Sequence, residues 1–407
     1  MWHHSLRRGV TAVALAGLAG LGLVACGQSS GASGDTIKVG TSLPLTGEFS
    51  QPGAAAKQGY EIWEQMVNAD GGLLGKDVDL VVKDDASNQN TIVSDYNALI
   101  SQSKVSLLLG TFSSLLNLPA SAVAEKNQML YVEPAGGSPE MFSRGFKYLF
   151  FSQQAVSDQQ GIPYAQYIAS LPTAQRPKTA AYPTLDDPFA APVVEGARKA
   201  LEKAGVKTVY KQTYAIDTKN FDTIAAAIKS AKPDLVFHGA QFEDGVGLTR
   251  AMLKAGFTPK TYFETNAPSF GDQYAKGIGA KNTEGVTFAV SYSPEAKTPG
   301  NPEFVAAFKK KYGELPAEDA ADAYAAGEVL AAAVKGVGSA DDQTKLADWL
   351  RGHTVQTILG PLKWDKTGAP IGSYLIGQWQ NGQARIVLPE AAATDKIKPT
   401  WTPAGAQ

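Results

Sequence analysis

Two stretches of this 407-residue chain alternate short β-rich runs with longer segments of helical periodicity. This alternation predicts an α/β protein with two doubly wound parallel-sheet lobes. The first stretch begins at Thr36 and the second at Lys178. Apolar runs such as residues 105–109 are typical of strands that are buried on both faces of a parallel sheet. The length is sufficient for each lobe to bury its own core.

The predicted strands are short runs that end near turn-forming Gly, Pro, Asn or Asp residues. In the first stretch they cover residues 37–43, 78–82, 105–109 and 129–132; in the second, residues 178–182, 206–214 and 234–238. Another strand is predicted at residues 285–290. The segment 362–388 predicts antiparallel strands, because its aromatic and aliphatic residues are interspersed with polar ones.

The predicted helices place apolar residues three and four positions apart. Residues 53–69 have Tyr60, Trp63 and Val67 at this spacing, and two glycines follow the last turn, as is common at helix ends. The other predicted helices cover residues 91–103, 115–126, 190–204, 221–230, 246–255, 302–312, 317–335 and 341–351.

Residues 1–25 are predicted to be a signal peptide that is removed from the mature chain. Two Arg residues precede an uncharged apolar run, residues 10–24, which is too short to span a bilayer comfortably. The run ends at Leu23-Val24-Ala25-Cys26, which resembles a bacterial lipobox and contains the only Cys. Cys26 is therefore predicted to carry lipid chains that anchor the protein to the cell membrane, with 26–35 as a flexible tether. The alternative is an ordinary secretory signal with a chance Cys.

Composition excludes several functional classes. The chain has 37 Lys and Arg against 39 Asp and Glu, a net charge of −2, so no excess of basic residues indicates a nucleic-acid partner. A single Cys excludes a disulfide framework and a multi-Cys zinc site.

Motifs for catalysis are missing from the sequence. After the predicted leader only His238 and His353 remain, far apart and outside any metal-binding spacing, and a lone His at a strand end is expected to be structural. Nucleophile-elbow, phosphate-loop and dinucleotide motifs are also missing. Asp84 and Asp85 are interpreted as a solvated turn, since no further acid follows at a calcium-loop spacing. No enzyme activity, metal or cofactor is therefore expected.

Several short motifs follow one another in an order and spacing that closely resemble the leucine/isoleucine/valine-binding proteins, the solute receptors of branched-chain amino acid ABC importers. The resemblance extends from about Thr36 to Val387. The motifs that carry it are Pro44-Leu45-Thr46-Gly47, Asn68-Ala69-Asp70-Gly71-Gly72-Leu73-Leu74-Gly75-Lys76, Lys83-Asp84-Asp85-Ala86, Ser157-Asp158-Gln159-Gln160-Gly161, Lys219-Asn220-Phe221 and Leu359-Gly360-Pro361-Leu362-Lys363-Trp364-Asp365.

The resemblance implies the type I periplasmic-binding fold, a two-lobed clamp whose lobes are joined by a three-strand hinge and close over a ligand. Each lobe is then discontinuous in sequence. The expected boundaries are residues 36–155 plus 289–356 for lobe 1, 156–288 plus 357–395 for lobe 2, and 396–407 for a C-terminal tail. The expected partners are a small-molecule ligand and the permease and ATPase subunits of an ABC importer. The protein is expected to be a monomer.

The resemblance also implies a carboxylate site at the start of a helix. Phe112, Ser113 and Ser114 follow a buried strand and open the helix predicted at 115–126, where free N–H groups and a partial positive charge suit an anion. In the family, the Ser at the position of Ser114 holds the ligand carboxylate; the alternative is an ordinary N-cap serine. Ala135 matches a residue whose carbonyl meets the ligand amine.

Several positions depart from the family pattern. The neighbouring family Thr falls on Gly137, with Ser138 nearby, and the aromatic residue of the first loop falls on Pro52, with Phe49 nearby. Two family Tyr residues fall on Phe189 and Gln241; the latter lies beside Phe242, and Phe189 and Phe242 are alternatively core residues. The acid that pairs with the ligand ammonium falls on Asn266.

The change at Asn266 leaves the ligand class open. An unpartnered buried charge costs roughly 3–5 kcal/mol, so either another acid takes the ammonium or the ligand has none. Glu133 is the first candidate for that acid; Glu243 and Asp244 are weaker candidates, since they are expected to face solvent. The expected ligand is a branched-chain or hydrophobic amino acid or a close analogue; the alternative is an aromatic or aliphatic carboxylic acid or an amide. Such a receptor serves uptake or signals through a membrane kinase.

Overall fold

A computed structural model describes residues 36–404; the predicted signal peptide, the tether and Cys26 lie outside these residues. Five parallel strands form the sheet of the first lobe, in the order β2-β1-β3-β4-β5. Their carboxyl ends share one edge of the sheet, which is where an open α/β fold binds its ligands. The strands are β1 (Ile37–Leu43), β2 (Val78–Asp84), β3 (Leu107–Leu109), β4 (Tyr131–Glu133) and β5 (Leu149–Phe151).

The sheet of the second lobe has seven strands, in the order β14-β13-β10-β9-β8-β6-β7. Its first five strands in chain order are parallel, and the last two are antiparallel, as the sequence predicts. These strands are β6 (Thr179–Leu185), β7 (Lys207–Tyr214), β8 (Leu235–His238), β9 (Thr261–Glu264), β10 (Thr287–Val290), β13 (Leu375–Gln380) and β14 (Gln383–Leu388). A separate antiparallel ribbon consists of β11 (Val355–Thr357) and β12 (Gly360–Leu362).

Twelve α-helices accompany the two sheets within residues 36–404. The sequence missed α4, α5 and α9, and likewise β5, β9, β11 and β12. These elements are short, and short runs do not distinguish a strand from a helix. The helices are α1 (Ser50–Ala69), α2 (Gln89–Ser101), α3 (Ser114–Lys126), α4 (Pro139–Ser143), α5 (Ile162–Ser170), α6 (Ala190–Lys203), α7 (Asp222–Ala231), α8 (Phe242–Lys254), α9 (Asp272–Ile278), α10 (Asn301–Tyr312), α11 (Glu318–Val337) and α12 (Gln343–Gly352).

Helix α11 returns to the first lobe late in the chain and packs against α1. Two glycines permit this contact. A Cβ at Gly59 would lie 2.0 Å from the carbonyl oxygen of Ala320, and one at Gly327 would lie 2.4 Å from the Trp63 ring. The two helices therefore approach backbone to backbone, which places the first turn of α11 at a defined position in the lobe.

Three chain segments pass between the lobes and are tied together at one side chain. Gln154 follows β5, and its Nε2 donates to the carbonyl of Ser291 at 2.7 Å and to that of Leu359 at 3.4 Å. Gln153 adds a second set of bonds: its Nε2 donates to Asp322 at 2.6 Å and its Oε1 accepts from the Tyr374 hydroxyl at 2.7 Å. All three crossings thus share a hydrogen-bonded hinge.

The segment after residue 395, expected to be a tail, packs onto the second lobe as far as residue 404. Trp401 is 3% exposed, its backbone N–H donates to the carbonyl of Lys260 at 3.0 Å, and its indole N–H donates to that of Asn282 at 2.8 Å. Burial of this large aromatic ring explains why the segment is ordered. Across residues 36–404, none of the helices has both the length and the apolar character needed to cross a membrane.

Candidate functional site

A narrow cavity lies between the two lobes, beside the hinge. Both lobes contribute to its lining, through the start of α3, the loop after β4, the hinge, the loops before α6 and α8, and the first turn of α11. Its lining residues are Phe112, Ser113, Ala135, Gly136, Gln153, Gln160, Phe189, Gln241, Asn266, Glu318, Asp319 and Asp322. The predicted site residues that meet here are Phe112, Ser113, Ala135, Phe189, Gln241 and Asn266.

The start of α3 contributes Ser113 to the cavity, while the side chain of Ser114 lies behind it. Ser114 Oγ donates to the Gly136 carbonyl at 2.6 Å and accepts from the Ser138 N–H at 3.1 Å, so it ties α3 to the loop after β4. Ser113 has a positive φ of 68° with ψ of 148°, and its buried Oγ has no hydrogen-bond partner within residues 36–404. Its hydroxyl is thus free for a ligand at a helix N-terminus.

The loop after β4 approaches α3 closely. The carbonyl of Ala135 accepts a hydrogen bond from Asn117 Nδ2 at 2.8 Å, which uses one of its two lone pairs. Gly137 lies outside the lining; a Cβ there would meet the Phe151 ring at 2.3 Å, so the Thr of the family does not fit this backbone. The Gly137 carbonyl instead accepts from the N–H of Ser157 in the hinge, at 2.7 Å.

The second lobe contributes Phe189, Gln241 and Asn266. Asp187 accepts from the Phe189 N–H at 2.8 Å and from Gln241 Nε2 at 3.4 Å. This orients the Gln241 amide so that its Oε1 points away from Asp187. Oδ1 of Asn266 is buried without a hydrogen-bond partner in the described chain.

Besides Ser114 and Gly137, two more predicted site residues lie outside the lining. Phe49 packs behind Phe112, with ring centroids 5.6 Å apart in an edge-to-face arrangement. Glu133 is fully buried and does not line the cavity, and burial raises its pKa well above the ordinary value. The structure therefore does not place Glu133 where it would meet a ligand.

Two acids expected to face solvent are buried. Asp244 accepts from the Tyr214 hydroxyl at 2.5 Å and from the Gln241 N–H at 2.9 Å, and burial raises its pKa to about 7. Its bond to Gln241 also explains why α8 begins at Phe242, before its predicted start. Asp85 is buried against Thr111, whereas Asp84 is exposed in the turn as predicted. Glu243 is exposed, as expected.

His238 is part of a buried network in the second lobe and lies outside the cavity. Its Nε2 lies 2.7 Å from the Tyr214 hydroxyl and its Nδ1 lies 3.2 Å from the Tyr262 hydroxyl. Burial lowers the pKa of His238 to about 3, so the ring is neutral. Nowhere in residues 36–404 do three or more His, Cys, Asp or Glu side chains group in a way that could hold a metal ion.

Sequence reasoning missed the three acids that α11 brings to the cavity, Glu318, Asp319 and Asp322. Acids in the first turn of a helix are common because they complement the helix dipole, so the pattern gave no distinct signal. It also missed Gln153 and Gln160, whose roles depend on the hinge. Which face of α11 points into the cleft is decided by its packing on α1.

Comparison with known proteins agrees with this architecture. Residues 36–384 match the family model described as "Periplasmic binding protein". The chain belongs to the periplasmic binding protein family. This confirms the resemblance predicted from the motifs and the two-lobed fold. Members of this family bind solutes for ABC transporters outside the cytoplasm and are not enzymes.

Curated relatives of this binding protein match along nearly their whole length. It is 28% identical over 377 residues to "Amino acid binding protein" of Pseudomonas aeruginosa, covering 92% of this chain and 96% of the relative. It is also 28% identical over 349 residues to "Leu/Ile/Val/Thr-binding protein" of Salmonella typhimurium, covering 85% of this chain and 92% of the relative.

Solved structures share the fold of this binding protein. A leucine-binding protein from Thermotoga maritima superposes with a TM-score of 0.78 at 22% identity, covering 86% of this chain and 97% of that one. A solute-binding protein of an ABC transporter from R. palustris, in complex with benzoate, gives a TM-score of 0.78 at 21% identity, covering 90% of this chain and 99% of that one.

Proposed function

We propose that this protein is the lipid-anchored solute receptor of an ABC importer and captures a small carboxylate-bearing solute between its lobes. The observation that carries the proposal is the cavity itself, which both lobes line and which lies beside a hinge of three crossing segments. A site divided between hinged lobes buries a ligand when the lobes close, and the closed form then differs in shape from the open one. A permease in the membrane would distinguish the closed form from the open one by this difference in shape.

The proposed ligand is a branched-chain or hydrophobic amino acid or a close analogue. Ser113 offers a free hydroxyl at the N-terminus of α3, where a carboxylate is favoured. Phe112, Ala135 and Phe189 supply apolar surface for a side chain. The names of the curated relatives, amino acid binding and Leu/Ile/Val/Thr binding, support the same class.

A second candidate is a receptor for an aromatic or aliphatic carboxylic acid or an amide, used for uptake or for sensing through a membrane kinase. It is favoured by Asn266, which lines the cavity without a charge at the position where the family has an acid. The benzoate complex of the R. palustris protein illustrates that this fold can hold such a ligand.

Isothermal titration calorimetry with leucine, phenylalanine, benzoate and 4-methyl-2-oxopentanoate tests the proposal. We expect saturable binding of at least one of these compounds, together with a smaller radius of gyration in X-ray scattering as the lobes close. The bound compound should be recovered chemically unchanged. Absence of binding by all four, with no small molecule retained through native purification, would contradict a receptor function.

The proposed lipid anchor at Cys26 is tested separately by fractionating cells. The wild-type protein should sediment with membranes, and Cys26→Ser should release it to the soluble extracytoplasmic fraction, because the thioether to the lipid cannot form. A Ser30→Ala variant in the tether serves as the control and should remain with the membrane. If the Cys26→Ser protein sediments like the wild type, the anchor lies elsewhere.

A further inference from the structure

Several acceptors in the cavity lining lack a hydrogen-bond partner. Buried oxygen atoms without a partner in the described chain belong to lining residues of both lobes, namely Gln160, Asn266 and Asp319. Buried polar atoms are normally paired, so this set points to groups that a ligand would supply. An amide can both donate and accept, but an ionised carboxylate only accepts, so a ligand that pairs with Asp319 has to supply a donor.

The ionisable groups in the lining are all acids. Glu318, Asp319 and Asp322 line the cavity, and no Lys, Arg or His of the described chain joins them there. Burial raises the pKa of each carboxyl, so a cation in the cavity would favour the ionised form. Glu318 accepts from the Ser291 hydroxyl at 2.8 Å, and Asp322 accepts from Gln153 Nε2 at 2.6 Å. These two carboxylates are therefore held by the hinge region of the protein.

Asp319 differs from its two neighbours. It is 4% exposed, and the buried Oδ2 of its side chain has no hydrogen-bond partner in the described chain. A carboxylate taken out of water without a partner is costly. The site lacks the ligand grouping of a metal cage. The group that satisfies both its charge and its lone pairs is a protonated nitrogen.

We propose that Asp319, flanked by Glu318 and Asp322, forms the cation subsite of the cleft, and that the natural ligand carries an ammonium or guanidinium group that docks against the first turn of α11. The inference rests on the proposed function, since it assigns ligand chemistry to the same cavity. With a carboxylate at the N-terminus of α3, the ligand is a zwitterion that spans the cleft. The negative charge for the ligand amine has thus moved from position 266 in the second lobe to the first lobe.

Matched pairs of compounds that differ only in the ammonium group test this directly on the unmodified protein. The pairs are leucine with 4-methylpentanoate, phenylalanine with 3-phenylpropanoate, and 5-aminopentanoate with pentanoate. Within a pair that binds, we expect the compound without nitrogen to bind at least about 100-fold more weakly, because it leaves Asp319 unpaired. Equal affinity within a binding pair would overturn the inference.

Asp319→Asn removes the charge and keeps the shape. We expect this substitution to weaken binding of the ammonium compound by at least about 100-fold. The affinity for its nitrogen-free partner should stay unchanged or increase. Asp341→Asn is the matched control, since Asp341 is exposed before α12 and should not affect binding. If Asp319 instead donates a proton to a ligand carboxylate, the Asn amide would replace that donor and affinity would persist, which contradicts the cation subsite.

Glu133→Gln separates this proposal from the earlier candidate for the amine partner. Because Glu133 lies outside the lining, we expect the discrimination between leucine and 4-methylpentanoate to survive this substitution. Loss of discrimination in Glu133→Gln, with discrimination retained in Asp319→Asn, would overturn the assignment to α11.

The outcomes also separate this inference from the proposed function. If nitrogen-free carboxylates bind tightly and compact the protein, the receptor function stands and the cation subsite is wrong. If none of the six compounds binds and native extraction yields no small molecule, the receptor function fails and the inference fails with it. Extraction of a ligand that contains a basic nitrogen supports both.

Discussion

At the scale of single residues, Gly136 controls how the loop after β4 meets the start of α3. Its φ is +141°, a conformation that L side chains rarely adopt, and a Cβ there would lie 2.6 Å from the Ser114 N–H nitrogen. Both the backbone conformation and the close approach require glycine. Gly136 therefore determines how closely Ala135 and Ser113 lie side by side in the cavity lining.

Gly136→Ala should weaken ligand binding by at least about tenfold and destabilise the protein by about 1–3 kcal/mol, because the loop has to move away from α3. Calorimetry and denaturant unfolding measure the two effects. Gly145→Ala is the control: Gly145 also has positive φ, 72°, but has open space around its Cβ position. It should cost about 1 kcal/mol of stability and leave binding unchanged.

Buried carboxyl groups make the stability of the protein depend on pH. Burial raises the pKa of Glu328 to about 8 and that of Asp85 to about 7. Below their ordinary pKa values these carboxyl groups are protonated in both the folded and the unfolded protein, and their contribution to stability is complete. This contribution is lost as the pH rises through the pKa values of the folded protein. His238, with its pKa lowered to about 3, opposes this trend mainly below pH 6.5.

We therefore expect the melting temperature to fall between pH 6 and pH 8. Between these pH values, Glu328→Gln should reduce the loss of unfolding free energy by about 2 kcal/mol, because a Gln side chain does not ionise. The Gln oxygen can still accept a hydrogen bond from the Ile358 N–H. Glu303→Gln, at an exposed position in α10, should leave the pH profile as it is. A melting temperature that rises over this interval would show that the buried carboxyl groups are ionised at little cost.

At the scale of elements, the packing of α11 on α1 positions the acids of the cavity. Gly59 contacts the carbonyl of Ala320, and Ala320 directly follows Asp319. A displacement at this contact moves the first turn of α11 with respect to the rest of the lining. Stability and ligand affinity are thus linked through one helix–helix contact.

Gly59→Ala should destabilise the protein by about 2–3 kcal/mol, because the new methyl group meets backbone atoms that cannot rotate away. It should also weaken binding, which a simple stability defect far from the site would not do. Gly352→Ala, at the end of α12 with open space around the Cβ position, should change stability by less than about 1 kcal/mol. Denaturant unfolding and calorimetry on both variants provide the comparison.

At the scale of the whole molecule, the two lobes are held together at the hinge and by an ion pair across the cleft. Glu48, in the loop before α1, pairs with Lys219, which precedes α7 in the second lobe. Lys219 is 68% exposed, so the pair is worth at most about 1 kcal/mol. The ion pair therefore stabilises the closed arrangement only slightly, and ligand binding has to supply most of the free energy of closure.

Lys219→Ala should raise the dissociation constant by no more than about fivefold, and the difference should shrink in about 1 M salt because exposed charges are screened. Lys254→Ala is the control, because Lys254 pairs with Asp222 within the second lobe. It should not alter binding. A loss of affinity much larger than fivefold in Lys219→Ala would mean that this cation contacts the ligand or a buried partner.

The sequence by itself determined the fold class and predicted the helix N-terminus at which we propose that a ligand carboxylate binds. Strand and helix patterns are local features of the sequence. A helix that directly follows a buried parallel strand has its N-terminus at the carboxyl edge of the sheet, and Phe112-Ser113-Ser114 stand at such a junction. The family motifs added the two-lobed arrangement. These features depend on neighbours in sequence, so they can be read without knowing the tertiary structure.

Only the tertiary structure decided the other end of the site. Glu318, Asp319 and Asp322 are more than 180 residues from Glu133 and look like an ordinary acidic helix start. The close packing of α11 on α1 directs the acidic face of α11 into the cleft. The hydrogen bond from Gln153 to Asp322 holds that face in place. Contacts between segments so distant in sequence arise from packing, which carries no local pattern.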